Sequence, residues 1–195
     1  MMNTISVYSV ALFLHIVGAL GLFVALGLEW TSLLYLRRAA TADQAREWLK
    51  LFTSLRRLYP ISWLAILIPG FYMTATVWGG TAWIGIALAA VVLIAVLGAA
   101  LGGRQLAPIE QAVAGESGPL SATLRNRLDD PLLRASLRIR TAIALGIVFL
   151  MTVKPDLLGA LIAMGVAVFL GLAFSLPARG RDREKLRTKQ AGDSL

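Results

Sequence analysis

His15 is the single histidine among 195 residues, and no cysteine accompanies it. A neutral imidazole can ligate haem iron or copper, and near neutral pH it can also relay a proton. Without thiols the chain has no disulfide, thiolate metal site, iron–sulfur cluster or covalent c-type haem attachment. One histidine also excludes a histidine-rich zinc or dimetal site within one chain. Three chemical readings of His15 therefore stand: axial haem ligand, copper ligand and proton relay. A fourth is structural, with the ring hydrogen-bonding a neighbouring helix. Met73, Met151 and Met164 are soft thioethers that could complete a copper set with His15. The competing account of each is apolar filler.

Glu29 lies fourteen residues after His15. On one helix that spacing turns through about 1400°, returning to within about 40° of the same face some 21 Å further along. Between them on that face are Gly18, Leu22 and Ala25, so this helix carries no polar ladder. The expected role of Glu29 is an ion pair with Arg134 or Arg138, or with Arg37 at longer reach, because charges inside a membrane are paired. Pro69-Gly70 falls in the middle of a second apolar stretch. The proline removes one backbone donor and frees the carbonyl of Ala65, which predicts a kink and either a mid-depth cavity or closer packing. No nucleophile and base can be paired from these residue types, so catalysis has the least support.

These side chains must be positioned by lipid-buried helices. The chain is 57% apolar and 15% charged, with a mean hydropathy of +0.73, outside the range of ordinary soluble or disordered chains. A bilayer core of about 30 Å takes roughly 20 apolar residues in helical form. Five stretches qualify, at about 7–35, 60–78, 82–102, 138–154 and 156–176. The second is entered through Pro60, as a first-turn proline. The fourth is the weakest and borrows Arg138 and Arg140 as snorkelling side chains. The expected fold is thus an all-α polytopic bundle of five transmembrane helices within a single domain, 1–178, followed by a basic cytoplasmic tail, 179–195.

Orientation follows from the cations, which stay on the cytoplasmic side of short loops. The segments 37–57, 104–140 and 179–189 carry six Lys or Arg each, and of the 19 only Lys154 falls elsewhere. Five spans put all three segments on one face, with the N-terminus outside and the C-terminus inside. The net charge of +8 then reads as topology and contact with anionic lipid headgroups, not as a nucleic-acid surface. Tyr8, Trp78 and Trp83 mark the outer interface, and Trp30, Tyr35, Tyr59 and Trp63 the inner one. The first span reads as a retained anchor, since a basic n-region is missing before it.

Residues 39–58 interleave Trp48, Leu49, Leu51, Phe52 and Leu55 with charges, the pattern of an interfacial amphipathic helix. Asp129-Asp130-Pro131 is a start signal for the fourth helix on the cytoplasmic side. Small residues four apart, Ala95, Ala99 and Gly103 and again Ala163, Ala167 and Gly171, form packing seams that could include a homodimer contact or another membrane subunit.

The run Leu14-His15-Ile16-Val17-Gly18-Ala19, with Gly70-Phe71-Tyr72-Met73 and the tryptophans Trp78 and Trp83, resembles small multi-span bacterial membrane proteins of unassigned function. It is also similar to the membrane domain of copper-resistance protein D. The resemblance covers the first three spans and implies a bacterial inner-membrane location and copper passage, with His15 as the matching ligand. Three functional classes follow: a metal- or haem-handling membrane protein centred on His15, a small transporter or proton-coupled channel using the kinked second span, and a non-catalytic partner or assembly subunit.

Overall fold

A computed structural model describes residues 6–101, 104 and 106–175. Seven α-helices follow one another: α1 Val7–Arg38, α2 Ala42–Met73 with a π-helical end at Thr74–Trp78, α3 Ala82–Leu101, α4 Ala107–Gly115, α5 Ala122–Leu128, α6 Pro131–Val153 and α7 Leu157–Ala173. Among the described residues there is no strand, only an isolated bridge between Thr41 and Pro119. The tail 179–195, Gly103 and the last residues of the third and fifth expected spans lie outside the described residues. Helices α1, α2 with its π-helical end, α3 and the α5–α6 stretch are long and apolar enough to cross a membrane, and α7 is apolar but shorter.

Local chemistry sets the helix starts. Ser6 accepts from the amide of Ser9 and starts α1. Thr41 caps Gln44 N while the Gln44 side chain reaches back to Ala40 N, a reciprocal arrangement of the capping-box kind. Asp130 caps Leu132 N ahead of Pro131, the expected start of α6. Asp156 caps Gly159 N at the head of α7.

Two expectations about α2 are corrected. Pro60 does not open a helix but sits inside α2, and residues 42–58 are not a separate interfacial helix but the first half of the same rod. The physical reason is tertiary. Ala42, Ala45 and Leu49, the apolar face of this half, are buried, Ala45 and Leu49 in a core shared with Leu36, Ile109, Val113, Leu124 and Leu128, instead of lying on lipid headgroups. Tyr35 and Trp48 stack with ring centroids 4.5 Å apart. Packing along α1 on both sides of Pro60 holds the helix continuous despite the missing donor.

Helices α1 and α2 form a long antiparallel hairpin, and α3, α6 and α7 form a second group, which α1 meets across α6. One end of the molecule is closed by α4 and α5 under the α1–α2 turn. There Arg37 pairs with Asp129 at 2.5 Å, Thr53 donates to Glu110, and Arg46 donates to Asp43 and to the Glu116 carbonyl. The opposite end is held by Trp78 and Trp83 in edge-to-face contact at 5.9 Å, with Lys154 Nζ 4.0 Å from the Trp78 ring centre. The second small-residue seam is used within the chain. A Cβ at Gly171 would come within 2.9 Å of Ile139 Cα, and one at Gly146 within 3.0 Å of Ala167 Cβ, so α6 and α7 touch nearly backbone to backbone. Ala95 and Ala99 on α3 remain exposed.

Candidate functional site

The register of the α1–α2 hairpin places His15. A Cβ at Gly18 would lie 2.8 Å from the Ala65 carbonyl carbon, and one at Gly21 2.6 Å from Ser62 Oγ. These glycines let the backbones close, and one turn further out His15 reaches α2 beside Pro69-Gly70. A Cβ at Gly70 would come within 3.3 Å of the imidazole, so glycine leaves the ring its space. His15 Nδ1 donates to the Ile66 carbonyl at 2.8 Å. That carbonyl is one residue beyond Ala65, the one deprived of its donor by Pro69. His15 thus bonds α2 one residue from the carbonyl that Pro69 leaves without its helical donor.

A carbonyl only accepts, so Nδ1 is the donor in this bond, and in the neutral tautomer with the proton there the lone pair is on Nε2. Among the described residues Nε2 has no hydrogen-bond partner. This is the arrangement by which a metal-binding imidazole is oriented: one nitrogen tied to a backbone oxygen, the other free.

The methionines do not converge on this ring as a set. Met73 is buried on α2, one turn beyond Gly70. Met151 and Met164 instead pack with Trp83, Ala87, Leu150 and Ala160 in the α3–α6–α7 group. Among the described residues no cluster of three or more His, Asp or Glu could hold a metal ion.

Glu29 is the centre of a second, closed site. Its Oε1 accepts from Arg140 Nη2 at 2.5 Å, and its Oε2 accepts from the Tyr59 hydroxyl. Both ends of the ion pair are buried, Glu29 at 5% and Arg140 at 7% exposure. The expected partners Arg134, Arg138 and Arg37 are therefore corrected to Arg140. Two residues rotate a helix by about 200°, so Arg138 points away and donates to the Phe174 carbonyl, while Arg37 is engaged by Asp129. Arg140 shares the stripe of Leu133, Leu137, Ile143, Ala144 and Leu150, all buried. The signal was available: a charge standing on the apolar stripe of its helix, as Glu29 does among Leu22, Ala25, Leu26, Leu33 and Leu36. Tyr59, read as an interfacial ring, supplies the third member. Next to the pair, Trp30 Nε1 donates to Thr141 Oγ1 at 3.1 Å, a second link from α1 to α6.

Outside the membrane-spanning segments, Ser121 donates its hydroxyl and its amide to Glu116. These bonds favour the ionised form and hold the carboxyl below the usual glutamate range.

Comparison with family models, with curated proteins and with solved structures returns no match for the chain.

Proposed function

We propose that the chain is a five-span membrane protein, N-terminus outside and C-terminus inside, that binds haem through His15 Nε2. The observation that carries the reading is the Nδ1 hydrogen bond to Ile66, which leaves the second ring nitrogen as an oriented, unengaged donor pair inside an apolar region. One imidazole is enough to hold a haem iron on its proximal side. The outer half of the hairpin also keeps Leu12, Phe13, Ile16, Ile68 and Phe71 uncovered, apolar surface of the kind a porphyrin face buries. Copper passage, which the resemblance to copper-resistance protein D would imply, has less behind it. A soft set of His15, Met73 and Met151 would have to draw on a methionine that packs with the other helix group.

The five-span orientation is supported by the meeting of the first and second basic segments at one end of the molecule through the Arg37–Asp129 pair. Contact of the basic face with anionic headgroups follows from that orientation, and a bacterial inner membrane is the location that the resemblance implies.

Absorbance of the protein purified from membranes of haem-replete cells tests the proposal. A Soret band in the parent, abolished in His15→Ala at equal yield, is the expected result. A colourless parent with no absorbance change on haem titration would sink it. Reporter tags that place the two chain ends in the same compartment would sink the orientation separately.

A further inference from the structure

Beside the Glu29–Arg140 pair lies a cavity of about 20 Å³ whose walls include Glu29, Phe52, Leu106, Ser136 and Arg140. About 10–15 Å³ is the least that admits one water molecule, so the void has room for one and little more. One wall is polar and incompletely bonded. Ser136 and Arg140 stand one turn apart on α6, are 4% and 7% exposed, and each carries a buried atom without a partner among the described residues, Ser136 Oγ and Arg140 Nε. An unpaired buried donor or hydroxyl keeps its whole desolvation penalty, and a hydrogen-bonding occupant removes it.

The occupant's charge is decided by the pair itself. Glu29 and Arg140 neutralise each other at 2.5 Å. An anion in the cavity would face the carboxylate, and a cation would face the Arg140 N–H. An apolar occupant would leave both orphans unpaired.

We propose that this cavity is a binding site for a single water molecule. The water accepts from Arg140 Nε–H, shares a hydrogen bond with Ser136 Oγ and donates to the Glu29 carboxylate, which gives it the two to four polar partners that buried waters have. Its effect is to keep one element of hydration on an ion pair otherwise set among apolar side chains, where desolvation opposes pairing. The site does not depend on the His15 reading.

The test uses the full chain in lipid nanodiscs. Magnetisation transfer from water to the Arg140 Nε–H in ¹⁵N-arginine-labelled protein, followed by solid-state NMR, should show a bound water on the unaltered protein. Ser136→Ala should melt about 2–4 °C lower, because the water loses a partner. A dry cavity gives the opposite pattern. No transfer would be seen, and Ser136→Ala would melt at or above the parent because an unpaired hydroxyl has been removed. That pattern overturns the proposal, and where the two readouts disagree the transfer decides.

Discussion

Helix α1 carries two ionisable groups on one face, and the fold treats them oppositely. Glu29 is paired at both oxygens: each has its own protein donor, one from α2 and one from α6. His15 is half satisfied: one ring nitrogen is tied to Ile66 and the other has no partner among the described residues. A closed polar site inside apolar surroundings holds helices in register, whereas a site with an oriented lone pair left over has capacity for a ligand. The difference lies in the neighbours. At the Glu29 level α1, α2 and α6 converge; at the His15 level α1 meets α2, and Leu12, Phe13 and Ile16 beside the ring are exposed.

The comparison can be broken at its closed end first. Arg140→Ala should have the largest effect, about 3–5 kcal/mol, because it strands a buried carboxylate. Thermal melts in detergent would show it, and Glu29→Gln combined with Arg140→Met should recover much of the loss. Recovery that fails altogether would mean that the pair is more than structural. Gly18→Val should follow at about 1–3 kcal/mol, by forcing a Cβ into the Ala65 backbone. It should also lower haem retention, since both helices that frame His15 move apart.

Tyr59→Phe sharpens the contrast by removing one of the two donors to Glu29. The expected cost is about 1.5–3 kcal/mol, the range for a hydrogen bond to a charged group, with no change at His15. His15→Ala should change stability by only about 0.6–1.7 kcal/mol, the range for polar bonds between membrane helices, while abolishing the Soret band. A large destabilisation without any spectral change would make His15 a structural residue like Glu29.

The smallest effect is a pH dependence at the cap. The Glu116 carboxyl titrates lower in the folded than in the unfolded chain. Its contribution is therefore present above the ordinary glutamate range and is lost as pH falls through the lower, folded value. Glu116→Gln should remove this slope from a pH series of melting temperatures and leave both α1 sites untouched.

How much was legible varied with the range of the interaction. The apolar runs, the Asp130-Pro131 start of α6 and the place of Pro69-Gly70 inside an apolar stretch could be read along the chain, because each depends on composition or on neighbours within a turn. The partner of Glu29 could not be chosen among several arginines by reach alone. That choice depended on which face of α6 turns toward α1, although the apolar stripe around Arg140 carried the clue. Pro60 misled for a similar reason. A proline is a boundary signal only while local energetics decide, and along α2 the contacts with α1 outweigh one absent backbone bond. The Ala163–Gly171 seam, readable as a contact surface, gave no sign of its partner, which proved to be α6 of the same chain.

The sequence by itself determined that this is an all-helical, lipid-compatible chain with one imidazole and one distant carboxylate on a common helix face. Hydropathy and helical periodicity are properties of consecutive residues and need no fold to be read. Only the tertiary structure decided that the carboxylate is sealed by Arg140 and Tyr59 while the imidazole keeps a nitrogen free. Those outcomes depend on the rotation and register of helices distant in sequence, which are settled when backbones close over glycines such as Gly18 and Gly171.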